Sequence, residues 1–177
     1  MLPGLPSFLA LRPIQEADME FLFRVYADSR ADELAIVPWN AEQKNAFLRM
    51  QFSAQHAHYQ KYYGAGAFDI VLQDGVPVGR LYIHRTATTI EVIDIALLRE
   101  HQRKGIGRAL LTALLAEASA NAQCVELYVE QNNLALHLYT RLGFVQTGTH
   151  GIYCSMRWQK QALQHAAARP DSQGVIA

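Results

Sequence analysis

The stretch that decides the fold is TIEVIDIALLREHQRKGIGRALLTALLAEASANA, residues 89–122. Its first part, residues 89–98, is apolar on both faces, which is typical of a strand in the middle of a covered sheet. Its last part repeats leucine and alanine at helical spacing, which predicts a helix over residues 104–122. The basic, glycine-containing segment Gln102-Arg103-Lys104-Gly105-Ile106-Gly107 joins the two. A buried strand that leads into such a helix start predicts a domain that mixes strands and helices.

A helix start that contains glycines is suited to bind phosphate groups. The first amides of a helix lack partners within it and carry a partial positive charge, and glycine lets a ligand approach the backbone closely. Arg99, Arg103, Lys104 and Arg108 surround this start, with Glu100 as the one acid among them. The segment therefore predicts a site for a diphosphate and a further phosphate. The plainer alternative is a helix that merely begins with glycines.

The period of apolar residues and the turn signals predict the other elements. Further strands are predicted over residues 8–12, 67–73, 76–85, 124–129, 144–149 and 152–158. Helices are predicted after Asp18, after Asn40, and from Asn132 or Asn133 to Leu142, with a loop over residues 31–39. Asp74-Gly75 is a strong signal for a hairpin. The predicted class is α/β (α+β), with a mixed and mostly antiparallel sheet.

Length and charge limit the classes of protein to which the chain can belong. The chain has 177 residues, of which 50% are apolar and 18% charged, which predicts one domain over residues 1–158 and a tail over residues 159–177. Its 16 basic and 16 acidic residues give a formal net charge of zero, which argues against nucleic acid or an anionic membrane as partner. The low charged fraction is compatible with a homodimer interface.

Cysteine usage and the pattern at the start of the chain predict a cytoplasmic protein. Cys124 and Cys154 are too few for a disulfide scaffold, and both lie in apolar, strand-like runs. The start of the chain lacks the pattern of a signal peptide. No apolar run approaches the length of about 18 residues that a membrane span needs.

Two further motifs accompany the glycine-containing helix start. The first is Asn132-x-x-Ala135-x-x-Leu138-Tyr139-x-x-Leu142-Gly143-Phe144, and the second is Asp74-Gly75-x-Pro77-Val78-Gly79. Together with Gln102-x-x-Gly105-x-Gly107 they resemble the motifs of the GNAT superfamily of acyl-CoA-dependent N-acyltransferases, over roughly residues 8–158. The resemblance implies a single domain with a seven-stranded sheet, a splayed central strand pair and about four flanking helices. One departure is Arg103, at a position where the family often has glycine.

The resemblance also implies which residues bind acetyl-CoA. The backbones of Ile95, Ala96 and Leu97 would hold the pantetheine arm, and Asn132 would contact it from the other side. The acyl carbonyl would be polarised by a backbone amide near Leu97. The pyrophosphate would be held by the amides of the helix start, namely those of Arg103, Lys104, Gly105, Ile106, Gly107 and Arg108.

Two residues match the catalytic positions of the family. Tyr139 matches the tyrosine whose hydroxyl lies near the thioester sulfur and acts as general acid, and the plainer alternative is a packed core aromatic. Glu91 stands eleven positions before Gln102, where several family members place a general base, and the alternative is a strand-end charge in water. By the alternation of a strand, Asp94 is expected on the opposite face from Glu91, where it would orient substrate or bond to the backbone.

Other chemistries find little support in the sequence. The seven histidines show neither His-x-x-x-His nor His-Glu-x-x-His spacing, so no metal is expected. There is no Gly-x-Ser-x-Gly elbow for a serine nucleophile. Cys124 lacks an evident neighbouring base, which argues against an acyl-cysteine intermediate.

The function implied by the resemblance is transfer of an acetyl group from acetyl-CoA to a primary amine, by direct attack in a ternary complex. Trp39, Tyr59, Tyr62 and Tyr63 suit an aromatic-lined acceptor site, with packing or a dimer interface as the alternative. The acceptor would be a small-molecule amine, or the N-terminal or lysine amine of a protein. A non-catalytic acyl-CoA-binding regulatory module of the same fold is the alternative function.

Overall fold

A mixed sheet of seven strands forms the centre of the protein, in a computed structural model that describes residues 2–64 and 66–160. The strand order is β1-β2-β3-β4-β5-β7-β6. All neighbours are antiparallel except β4 and β5, which are parallel. The strands are β1 (Leu9–Pro13), β2 (Ala67–Gln73), β3 (Val76–Arg85), β4 (Thr89–Leu97), β5 (Cys124–Glu130), β6 (Val145–His150) and β7 (Tyr153–Trp158). The predicted mixed, mostly antiparallel sheet is confirmed.

Helices cover both faces of this sheet in the described residues. They are α1 (Met19–Ser29), α2 (Ala31–Ala35), α3 (Ala41–Tyr62), α4 (Ile106–Ala120) and α5 (Leu136–Arg141). Asn40 caps α3 as predicted, since its side chain accepts a hydrogen bond from the Gln43 amide at 2.8 Å. The short α2 lies where a loop was predicted, with the acids Asp32 and Glu33 in its first turn, where the helix dipole favours negative charge.

The central strand β4 lies between two apolar cores. Ile90 and Val92 of β4 belong to the larger core, which α4 covers with residues such as Leu110 and Leu114. Ile93 packs against the second core, in which α1 and α3 cover the opposite face. The apolar pattern on both faces of this strand thus predicted its central position correctly.

The two parallel central strands separate part-way along their length. Residues Thr89 to Val92 of β4 pair with Cys124 to Leu127 of β5. Beyond that point β4 continues beside β3 as far as Leu97, while β5 continues beside β7 as far as Glu130. The implied splayed strand pair is therefore present, and its open part begins after Val92.

A β-bulge in β4 coincides with this separation. Tyr82 of β3 lies opposite Asp94, whereas the next residue, Ile83, lies opposite Val92. Ile93 is therefore the extra residue of the bulged strand, and a bulge resets the alternation of side chains.

The bulge places Glu91 and Asp94 on the same face of the sheet. The Tyr63 hydroxyl, just after α3, donates a hydrogen bond to Glu91 at 2.9 Å. The hydroxyl of Tyr59, within α3, lies 3.5 Å from Asp94 Oδ2. The prediction that these two acids lie on opposite faces is wrong, because simple alternation does not anticipate the extra residue.

A buried ion pair joins the bulge to the neighbouring elements. Arg80 of β3 is 3% exposed, and its Nη2 donates to Asp94 Oδ2 at 2.8 Å. The same nitrogen donates to the side-chain oxygen of Gln55 in α3 at 3.1 Å. The pair thus links β3, β4 and α3 at the place where the central strands separate.

The sequence also predicts a C-terminal tail and no membrane span. The predicted tail over residues 159–177 lies outside the described residues from residue 161 onward. Among the described residues, no helix combines the length and apolar character needed to cross a membrane.

Asp94→Asn should lower the free energy of unfolding by about 3–5 kcal/mol, because it leaves the Arg80 guanidinium buried without an opposite charge. Urea denaturation measures this change. The double variant Arg80→Met with Asp94→Asn should lose less, since it removes both charges. Glu20→Gln is the control, because its partner Arg49 is exposed and such pairs contribute little. Equal effects of Asp94→Asn and Glu20→Gln would contradict a stabilising role for the buried pair.

Candidate active site

A cleft of about 380 Å³ lies where β4 and β5 separate. One wall is formed by Val92 to Ala96 of β4, and the other by Leu127 to Glu130 of β5. Further lining residues come from α1, α2, α3, α5, β3, β7 and the segments that precede α2 and α5, namely Tyr26, Ser29, Arg30, Glu33, Gln55, Tyr59, Arg80, Asn133, Tyr139 and Tyr153. The cleft therefore joins the two faces of the sheet through its centre.

The open part of β4 presents backbone groups toward β5. The amide of Leu98, just after β4, donates to the carbonyl of Val78 in β3 at 2.9 Å. Because antiparallel strands alternate the direction of their peptide groups, the amides of Ile95 and Leu97 point away from β3, toward the gap. The peptide groups of Ala96 point toward β3, so its side chain, rather than its backbone, borders the cleft.

The loop before α4 is held in a left-handed conformation. Gly105 has φ +84° and is the N-cap of α4, so the helix begins at Ile106. Arg103 has φ +59°, a conformation that costs a residue with a side chain about 1–2 kcal/mol relative to glycine. Arg103 thus adopts a strained backbone conformation at the position where the family often has glycine. The Gln102 side chain fixes the loop by donating to the Leu97 carbonyl at 2.9 Å.

The basic cluster at this helix start contains three side chains rather than the four predicted. Arg99 turns toward α2 and its Nη2 lies 3.0 Å from Asp32 Oδ2. Arg103, Lys104 and Arg108 are exposed and take part in no salt bridge within residues 2–64 and 66–160. These three charges remain available to an anionic ligand.

Gly107 has no packing reason to be glycine. A Cβ built there would meet only Leu138 Cδ2, at the ordinary contact distance of 4.0 Å. Alanine would moreover favour the helix by about 0.5–1 kcal/mol. Glycine at this position leaves room for a ligand to approach the first turn of α4, and the residues of this loop fit a pyrophosphate.

Tyr139 brings its hydroxyl to the cleft from α5. The residue is 6% exposed, and its ring packs edge-on against Phe144 at 5.7 Å between centroids. Within the described part of the chain the hydroxyl forms no hydrogen bond. Burial, with a smaller contribution from the negative charge of Asp94, raises the pKa of Tyr139 to about 12. The hydroxyl is thus protonated at neutral pH and can donate a hydrogen bond.

Glu91 is half-buried and lies behind the cleft lining. Its carboxylate accepts the hydrogen bond from Tyr63, and burial together with Glu91 raises the pKa of Tyr63 to about 12. Asp94 is the acid of β4 that lines the cleft, and it is bound by Arg80. Sequence reasoning missed Arg80 as a site residue, although the many tyrosines of α3 did indicate this region.

Asn132 and Asn133 take different positions. Asn132 is exposed and outside the cleft lining, whereas Asn133 lines the cleft. The Asn133 side chain accepts a hydrogen bond from the Ala135 amide at 2.9 Å, and α5 begins only at Leu136. The predicted asparagine cap is therefore a turn that precedes the helix by a few residues.

In residues 2–64 and 66–160, no three His, Cys, Asp or Glu side chains are grouped so that they could hold a metal ion. Cys124 and Cys154 are both buried and free.

Comparison with known proteins assigns the fold and the motifs to a family. Residues 22–144 match the sequence model of the Acetyltransferase (GNAT) family. The chain belongs to the GNAT family. A mycothiol acetyltransferase of Tsukamurella paurometabola is 43% identical over 65 residues, which are 36% of this chain and 22% of that protein. This chain therefore matches only about a fifth of the length of that curated relative.

Solved structures of GNAT acetyltransferases share the fold. The PaiA N-acetyltransferase of Thermoplasma acidophilum, solved with coenzyme A, has a TM-score of 0.65 and 22% identity, covering 86% of this chain and 99% of that one. Naa50 of Arabidopsis thaliana, solved with the bisubstrate analogue CoA-Ac-MVNAL, has a TM-score of 0.56 and 17% identity, covering 87% and 100%. At these identities the likeness establishes the fold.

Gly107→Ala should weaken acetyl-CoA binding about tenfold or more, because the added methyl group occupies the space next to the first turn of α4. It should leave the free energy of unfolding unchanged or slightly higher, since alanine favours helices. Isothermal titration calorimetry and urea denaturation measure the two effects. Ser119→Ala, near the other end of α4, is the matched control and should bind acetyl-CoA normally. Unchanged binding in Gly107→Ala would contradict a ligand at this turn.

Proposed function

We propose that this GNAT protein transfers an acetyl group from acetyl-CoA to a primary amine by direct attack in a ternary complex. The observation that carries the proposal is the gap between β4 and β5. It contains the hydroxyl of Tyr139, a residue that is 6% exposed, and this hydroxyl forms no hydrogen bond within the described residues and lies opposite the open backbone edge of β4. A tyrosine hydroxyl without a protein partner in a cleft is free to donate a hydrogen bond to a ligand.

The proposed binding of acetyl-CoA follows the open edge. The amides from Arg103 to Arg108 would hold the pyrophosphate, and the side chains of Arg103, Lys104 and Arg108 would neutralise phosphate charge. The peptide groups of Ile95 would hold the pantetheine arm, with the side chain of Ala96 beside it. The Leu97 carbonyl is already bonded to the Gln102 side chain, which leaves the Leu97 amide for the acetyl group. Since Asn133 rather than Asn132 lines the cleft, we assign the contact from the other side to Asn133.

The proposed chemistry needs one proton to leave and another to be supplied. The amine nitrogen forms a bond to the acetyl carbon while the bond from that carbon to sulfur breaks. Tyr139 donates its hydroxyl proton to the sulfur, which would otherwise leave as a thiolate. The Leu97 amide, which points into the gap, stabilises negative charge on the acetyl oxygen.

Glu91 is proposed to take the proton that the amine loses. Because Glu91 lies behind the cleft lining, the proton would reach it through a water molecule or through the Tyr63 hydroxyl, which is bonded to it. Asp94 is less suited to this role, because its carboxylate is bound by the buried Arg80 guanidinium. We assign Asp94 a structural role at the bulge.

We also propose a cytoplasmic location. The two cysteines of the chain, Cys124 and Cys154, are buried free thiols, which are typical of proteins kept in a reducing compartment.

Tyr139→Phe should lower kcat about 100-fold, because the sulfur then leaves without a proton donor. Thiol release from acetyl-CoA is measured across a panel of primary amines. Acetyl-CoA should still stabilise the variant against thermal unfolding, by about 2.7 kcal/mol at a concentration 100 times its dissociation constant. Tyr62 was expected in the acceptor site, but it is an exposed tyrosine of α3 outside the cleft lining, so Tyr62→Phe is the matched control and should retain full activity.

The outcomes of this experiment separate the alternatives. Binding of acetyl-CoA without thiol release from any amine would favour the non-catalytic acyl-CoA-binding module. No thermal shift with acetyl-CoA would overturn both functions. Full activity of Tyr139→Phe would show that another group protonates the sulfur.

Glu91→Gln should lower kcat about 100-fold while KM for acetyl-CoA stays the same, because the amine loses its proton acceptor. Steady-state kinetics with the best amine of the panel measures both constants. Glu126→Gln removes an acid on β5 whose partner is the half-exposed Arg157, and this control should be fully active. A normal kcat in Glu91→Gln would assign the proton to water or to another residue.

A further inference from the structure

A salt bridge spans the mouth of the cleft. Arg30, which directly precedes α2, donates from Nη1 to Glu33 Oε1 of α2 at 2.9 Å. The same nitrogen lies 3.4 Å from Glu130 Oε1 at the end of β5. All three residues line the cleft, so the group joins α2 to the end of β5 and carries one net negative charge.

The deeper part of the cleft does not offset this charge. There the lining holds one acid and one base, Asp94 and Arg80, which form the buried pair. The whole lining therefore contains three carboxylates and two guanidinium groups. At the start of α4, by contrast, Arg103, Lys104 and Arg108 are exposed and positive. The region proposed for acetyl-CoA and the mouth on the acceptor side thus have opposite charge.

The walls between mouth and centre are aromatic. The cleft is lined by five tyrosines, Tyr26, Tyr59, Tyr128, Tyr139 and Tyr153. The faces of aromatic rings attract cations and repel anions. A positively charged group that moves from the mouth toward the centre can therefore lie against these rings, whereas the only cations in the lining are two guanidinium groups that already pair with acids.

A second observation indicates that a ligand extends from this mouth to the centre. The side chain of Tyr139, a residue that is 6% exposed, lines the same continuous cleft, and its hydroxyl forms no hydrogen bond within the described residues. If the reacting amine lies near Tyr139, the other end of the acceptor lies toward Glu33 and Glu130.

We infer that the acceptor is an amine whose far end is positively charged, such as an alkyl diamine, and that Glu33 and Glu130 bind this far end. The inference rests on the proposed function. Arg30 already pairs with these two carboxylates, so it competes with the charged far end of the acceptor for binding to them. An acceptor with a carboxylate at that end is excluded by like-charge repulsion.

Three acceptors of matched length test this inference. Pentylamine, 1,5-diaminopentane and 5-aminopentanoate differ only in whether the far end is neutral, positive or negative. We expect kcat/KM to be highest for the diamine, about tenfold lower for pentylamine and lower again for 5-aminopentanoate, because one charge pair in a partly exposed site corresponds to about this factor. Thiol release from acetyl-CoA is the measurement.

Substitutions of the acids and of the base at the mouth should change KM for the diamine in opposite directions. Glu130→Gln and, independently, Glu33→Gln should raise KM for the diamine and leave pentylamine unchanged. Arg30→Gln should lower KM for the diamine, because it removes the competing cation. Glu126→Gln, on the same strand but outside the cleft lining, should behave like the wild type.

The results distinguish the inference from the function on which it rests. Equal or better transfer to 5-aminopentanoate, or a diamine preference that both glutamate variants leave unchanged, would overturn the inference alone. Transfer to some other amine of the panel but to none of these three would also overturn it alone. Absence of thiol release with every amine would overturn the proposed function, and the inference with it.

Discussion

The separation of β4 from β5 after Val92 is the constraint on which the rest of the structure depends. Backbone groups inside a protein require partners, so a gap in the middle of a sheet is stable only if the flanking strands are held from their other sides. β3 holds β4 as far as Leu97, and β7 holds β5 as far as Glu130. The bulge at Ile93 and the buried pair of Arg80 with Asp94 fix β4 at the point of separation. The cleft therefore belongs to the resting fold.

The sequence predicted those features that local patterns determine. The double-sided apolar run of β4, the hairpin at Asp74-Gly75 and the cap at Asn40 each depend on neighbouring residues, and the structure agrees with them. The bulge at Ile93 was not predictable, because it is set by the register of β4 against β3. The direction of Arg99 likewise depends on acids that are distant in the sequence.

For the candidate site, the sequence located the helix start and Tyr139 but not the shape of the acceptor side. The amides before α4 follow from local glycines, and the tyrosine position follows from the C-terminal motif. Arg30 and Glu130 are 100 residues apart, and neither belongs to a motif. Only the fold brings these two residues together at the mouth of the cleft, so the charge of the proposed acceptor side could not be deduced from composition.

The short helix α2 is held mainly by charge. Of its five residues only Leu34 is buried, whereas Asp32 pairs with Arg99 on the side of the α4 loop and Glu33 pairs with Arg30 at the mouth of the cleft. Such exposed pairs are individually weak and are screened by salt. The position of α2 thus responds to ionic strength more than the sheet does. Because one small segment contacts both the loop before α4 and the mouth of the cleft, an ion that loosens it alters these two regions together.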